Sequence, residues 1–142
     1  MIKDLQEFHY YVGETIMFCQ CIEHDIKWIY AGMLRGDCDE NFNTISKEKW
    51  TFGKTVSKLE ELDNCDNDPY FDKEDYALLK RIAKIRNYWA HNAYVDFVYE
   101  KSNEKAFNKV SKRLENDHNR LEKIHDSVEK VRLDVLKDYG RI

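Results

Sequence analysis

An unbroken helical repeat at the start of the chain constrains the fold more than any other feature of the sequence. Apolar residues recur at steps of three and four, which is the period of an amphipathic α-helix. They are Leu5, Phe8, Val12, Ile16, Cys19, Ile22, Ile26, Ile29 and Met33. Asp4 and Glu7 have the spacing of a capping box, and Gly36 is a natural stop. The pattern predicts a first helix from about Asp4 to Met33.

The rest of the chain predicts three more helices and no strand. A polar stretch from Gly36 to Ser46 predicts a loop after the first helix. The second helix is expected from about Trp50 to Asp63, the third from Asp72 to about Phe97, and the fourth from about Asn103 to Tyr139. The turn-rich segment 63–69 separates the second helix from the third. We therefore expect an all-α protein, an up-and-down bundle of four main helices in a single domain spanning residues 1–142.

Composition restricts the classes of function. The net charge of −4 gives no general attraction to nucleic acid, so any RNA contact must depend on a local basic patch. No apolar run approaches the length of a membrane span, and the N-terminus has no signal-peptide pattern, so we expect a cytoplasmic protein. In that setting the four cysteines are expected to be reduced thiols, and no cofactor is implied.

The segment Arg86-Asn87-Tyr88-Trp89-Ala90-His91-Asn92 carries the chemistry of interest. Arginine presents a rigid charged fork that suits phosphate, and histidine transfers protons near neutral pH. On a helical wheel Trp89 belongs to the apolar stripe with Ile82 and Ile85, whereas Arg86 and His91 flank a sector of small alanines. A partner or a nucleotide could approach the backbone in that sector.

These letters resemble the R-x(4–6)-H signature of HEPN domains, helical nucleotide-binding and ribonuclease modules of prokaryotic defence and toxin–antitoxin systems. The resemblance implies a metal-independent endoribonuclease in which His91 transfers protons and Arg86 holds the phosphate, with two motifs sharing a cleft in a homodimer. Asn87, Tyr94 and Lys84 are then candidates for orienting or binding RNA. A cognate antitoxin protein is the other partner implied.

Some HEPN toxins that pair with a nucleotidyltransferase have a tyrosine two residues after the motif histidine. In this sequence Ala93 occupies that position and Tyr94 follows it, which argues against such a partner.

Two alternatives remain open, and one further pattern is typical of metal sites. The protein could be a non-catalytic nucleotide-binding or dimerisation module that acts through a partner protein. In a purely structural interpretation, Arg86 pairs with an acid of the first helix and His91 is a surface histidine at a helix end. Glu115 and His118, like Glu122 and His125, have the Glu-x-x-His spacing of di-iron bundles. Because both pairs lie on one helix, no metal is assigned to them.

Overall fold

In the computed structural model, which describes residues 2–142, every regular element is an α-helix. The helices are α1 (Leu5–Met33), α2 (Cys38–Lys47), α3 (Phe52–Asp63), α4 (Lys73–Leu79), α5 (Ile82–His91), α6 (Val95–Val98) and α7 (Asn103–Asp138). The predicted first, second and fourth helices correspond to α1, α3 and α7, and Asp4 caps α1 by accepting a hydrogen bond from the Glu7 amide. The all-α class is confirmed.

The two longest helices, α1 and α7, run parallel to each other. Contacts between them advance by seven residues along both helices in the same direction. They join Tyr11 to His118, Phe18 to His125, and Asp25 to Arg132. An up-and-down bundle of four helices would place the first and last antiparallel, so the structure departs from that expectation. The segment from α5 to Tyr94 runs antiparallel to α1, because Arg86 contacts Glu23 and Tyr94 contacts His9.

Helix α2 occupies the stretch 36–46 that was predicted to be a loop, and that prediction is wrong. Asp37 caps the helix by accepting a hydrogen bond from the Glu40 amide at 2.9 Å. Ile45 is buried, and Phe42 stacks on Trp28 of α1 with ring centroids 4.1 Å apart. Cys38, Phe42 and Ile45 have the i, i+4, i+7 spacing of a helix and pack inward, so the signal was present within a stretch that is otherwise polar.

The predicted third helix is divided into α4, α5 and α6. At the first break the Arg81 amide donates to the Leu78 carbonyl, three residues back, instead of making the usual bond to the fourth. At the second break the Ala93 amide donates to the Tyr88 carbonyl, five residues back, and Ala93 is fully buried. No proline or glycine marks either break, so the sequence does not reveal them.

Helix α5 is held in place by its apolar stripe, as predicted. Ile82, Ile85 and Trp89 are all buried. The Trp89 indole packs edge-on against Phe8 of α1 and donates a hydrogen bond to the Asp117 carboxylate of α7 at 2.9 Å. Since the indole contacts both long helices, it determines where the neighbouring motif residues lie.

Arg141 joins the end of α7 to the end of α1. Its guanidinium donates to the carbonyls of Gly32, Leu34 and Gly36, at 3.2, 2.6 and 2.7 Å respectively. Carbonyls at a helix C-terminus lack intrahelical partners, and a cation there also interacts favourably with the negative end of the helix dipole. Within residues 2–142, no helix combines the length and the apolar character that crossing a membrane requires.

Candidate functional site

Arg86 lies on the edge of α5 that faces α1, where it forms an ion pair with the Glu23 carboxylate. Both side chains are partly buried, 32% exposed for Arg86 and 19% for Glu23. Burial raises the pKa of Glu23 above its usual range, and the guanidinium opposes that rise without cancelling it. The structure therefore contains the ion pair between Arg86 and an acid of the first helix that the structural interpretation expects.

His91 is the last residue of α5 and is exposed to solvent. Among residues 2–142, the structure gives its side chain no hydrogen bond and no ion pair. The other four histidines all have partners. These are Tyr94 for His9, Trp28 for His24, Glu14 for His118 and Asp126 for His125. His91 is thus the one imidazole in this part of the chain that is free to meet a ligand.

Lys84 and Asn87 lie on the same solvent-facing side of α5 as His91. The three positions are separated by three and four residues, so their side chains follow one another along the helix surface. All three residues are exposed. No hydrogen bond joins Asn87 to His91 in the described residues, so the expected orienting contact is absent from this conformation. We call Lys84, Asn87 and His91 the exposed face of α5.

Tyr94 does not join the exposed face of α5. The helix ends at His91, so the position that a continuous helix would give to Tyr94 does not exist. The ring instead packs edge-on against Phe8 with centroids 5.4 Å apart, and the hydroxyl lies 2.6 Å from Nδ1 of His9. Tyr94 therefore lies against α1 and not on the exposed face of α5, and its role in binding RNA stays a prediction.

Arg86 and His91 also lie on different sides of α5. At 100° per residue their directions differ by about 140°, and Arg86 is turned towards Glu23. Ala90 is exposed and Ala83 partly exposed, so the alanine sector between Arg86 and His91 is open, as predicted. The two motif side chains do not contact each other within the described residues.

A groove of about 700 Å³ borders α5 on the side opposite Arg86, between α5–α6 and α7. Its walls carry Tyr88, three cationic residues of α7 spaced four apart, and two acids; the charged residues are Lys105, Lys109, Arg113, Asp96 and Glu100. The Arg113 guanidinium lies 3.5 Å from the centroid of the Tyr88 ring, a cation–π contact. The Tyr88 hydroxyl donates to Asp96 at 2.6 Å, and burial with this bond raises the pKa of Tyr88 to about 12.

The sequence shows the α7 cations as an i, i+4, i+8 row but does not show which helix they face. Tyr88 precedes His91 by one helical turn, so the groove adjoins the exposed face of α5. An exposed imidazole, a lysine and an amide beside a groove that carries three cations and two acids can bind a phosphate-bearing ligand and exchange a proton with it.

Comparison with protein-family models, curated proteins and solved structures finds no match.

Proposed function

We propose that this protein is a metal-independent endoribonuclease that acts on RNA as a homodimer in a bacterial defence or toxin–antitoxin setting. The observation that carries the proposal is the free, exposed imidazole of His91 at the end of the motif helix. It lies beside a groove with three cationic side chains. Cleavage of RNA by attack of a 2′-hydroxyl on the neighbouring phosphate requires proton transfer and stabilisation of the negative charge on the phosphate oxygens.

In this proposal His91 exchanges protons with the 2′-hydroxyl or with the leaving 5′-oxygen. The groove cations bind neighbouring phosphates, and Lys84 binds the RNA backbone along the exposed face of α5. Arg86 keeps the phosphate-binding role that the resemblance implies, but a phosphate must displace the Glu23 carboxylate to reach it. Glu23→Gln removes the negative charge from that competitor, so we expect it to tighten RNA binding.

A homodimer follows from the count of proton-transfer groups. Cleavage needs one base and one acid, and the described chain offers one free imidazole beside the groove. Two copies related by a two-fold axis would bring two His91 side chains to one substrate. Sedimentation equilibrium at micromolar concentration should show a dimer, and a strictly monomeric protein that still cleaves RNA would contradict this part of the proposal.

The decisive experiment compares His91→Ala with the wild type on a structured RNA. We expect the cleavage rate to fall by about two to four orders of magnitude, the usual contribution of general acid–base catalysis. His24→Ala is the matched control because His24 is also exposed, at 62%, but lies on α1. Products should end in 2′,3′-cyclic phosphate and should form in the presence of a chelator. Equal cleavage by His91→Ala and the wild type would refute the assignment.

The Arg86–Glu23 ion pair favours a second candidate function, a non-catalytic nucleotide-binding or dimerisation module that acts through a partner such as a cognate antitoxin. A motif arginine held by a carboxylate can fix α5 on α1 without touching substrate. If this candidate is right, purified protein should bind RNA or nucleotide without cleaving it. His91→Ala should then leave the RNA as intact as the wild type does.

A further inference from the structure

His118 is a buried histidine held between carboxylates of two helices. Its side chain is 7% exposed and lies between the rings of Tyr11 and Phe18. Nε2 lies 2.5 Å from the Glu14 carboxylate of α1, and Nδ1 lies 3.8 Å from the Glu122 carboxylate one turn further along α7. One ligand atom from each of Glu14, His118 and Glu122 can be chosen so that all three lie within 4.8 Å of one another.

The hydrogen bond to Glu14 determines which nitrogen of His118 carries the proton in the neutral ring. A carboxylate ionised at neutral pH, such as that of Glu14, can only accept a hydrogen bond. Nε2 must therefore be the donor. In the neutral imidazole Nδ1 then holds a lone pair, and the second carboxylate, Glu122, lies 3.8 Å from that nitrogen.

The separation between Nδ1 and Glu122 is close to that of two ligands on one metal ion. At 3.8 Å the two atoms are too far apart for a hydrogen bond. Two ligands bound tetrahedrally to zinc at about 2.0–2.2 Å lie roughly 3.3–3.6 Å apart, so a small movement of the exposed Glu122 side chain brings its oxygen to that distance. A histidine that binds metal through one nitrogen commonly donates its other N–H to a carboxylate, which is the role Glu14 already has here.

We propose that His118 Nδ1 and Glu122 bind a divalent transition metal ion, with Glu14 orienting the imidazole through Nε2. The ligand set of one imidazole and one carboxylate suits Zn²⁺ or a similar ion. Both ligands lie on α7 and the orienting carboxylate lies on α1, so the bound ion would stabilise the parallel packing of the two helices, apart from the proposed cleavage chemistry on α5. The α7 sequence alone does not supply the orienting carboxylate, because Glu14 comes from α1.

Zn²⁺ itself is the probe, titrated in competition with a chromophoric chelator under reducing conditions. We expect one equivalent to bind the wild type and to raise its melting temperature. Glu122→Gln changes an exposed side chain and should weaken binding at least tenfold, and His118→Gln should do the same. His125→Gln is the matched control, because His125 has the same Glu-x-x-His spacing one heptad later, and Cys65→Ser controls for the exposed thiol. Both controls should bind like the wild type.

Three outcomes would overturn the proposal. The first is a wild type that binds no Zn²⁺. The second is a Glu122→Gln variant with wild-type affinity. The third is a loss of binding in His125→Gln, which would place the ion at His125, Asp126 and Glu129, a group that lies wholly on α7. None of these measurements uses RNA, so the result is separate from that of the cleavage assay.

Discussion

The carboxylate of Asp63 provides the sharpest test of how this fold positions its motif helix. Asp63 is the last residue of α3 and is 1% exposed. It accepts hydrogen bonds from the amides of Tyr70 and Phe71 at 2.8 and 3.1 Å, and from the Tyr76 hydroxyl of α4 at 2.6 Å. These three bonds close the turn after α3 and fix the start of α4, from which the chain continues into α5. We therefore expect Asp63→Ala to be strongly destabilising.

The expected cost follows from the partners that the substitution leaves behind. A hydrogen bond to a charged group contributes about 1.5–3 kcal/mol to stability. Once the carboxylate is gone, the Tyr70 amide can turn to water, since this residue is only partly buried. Tyr76 is only 2% exposed, so its hydroxyl stays buried without an acceptor. We expect Asp63→Ala to lower the free energy of unfolding by about 3–5 kcal/mol, and Asp63→Asn, which keeps one acceptor, by about 1–3 kcal/mol.

Urea unfolding followed by helical circular dichroism measures both free energies. Tyr76→Phe removes one of the three donors and should cost about 1–2 kcal/mol. The double variant with Asp63→Ala should lose less than the sum of the two single losses, because both changes remove the same bond. A loss below about 1 kcal/mol for Asp63→Ala, with an unchanged slope against urea, would refute the view that this carboxylate organises the turn.

Three further predictions concern ionisation and helix ends. Burial and hydrogen bonds to carboxylates raise the pKa of Tyr70 and Tyr76 above the unfolded value of about 10. Below about pH 10 these tyrosines should therefore not change the urea midpoint. Above it the unfolded chain loses their protons more easily, so the midpoint should fall, and it should fall less in Tyr76→Phe. Burial raises the pKa of Cys19 to about 12, so iodoacetamide at pH 8 should modify exposed Cys65 and spare Cys19 until urea is added, as mass spectrometry can show. Arg141→Ala should lower the free energy of unfolding by about 1–3 kcal/mol, and Arg141→Lys should recover only part of the loss, because an ammonium lacks the fork that reaches three carbonyls.

The sequence by itself determined the elements whose signals are local. The repeat of apolar residues defined α1, α3 and α7, and the Asp4 cap marked where α1 begins. The same period placed Ile85 and Trp89 in the core and left His91 exposed. These features could be predicted because each depends on residues within one or two turns of one another, and a regular helix carries that spacing directly into space.

Tertiary structure alone decided which helices meet and where the chain leaves the helical path. Glu23 and Arg86 are 63 residues apart in sequence, and Glu14 and His118 are 104 apart, so no local pattern could pair them. Tyr94 lies away from the exposed face of α5 because this helix ends at His91. Ala93, two residues further on, is buried. The core must be filled closely by side chains from the whole chain. This requirement can end a helix early, and the residues that follow then no longer point where the helical period predicts.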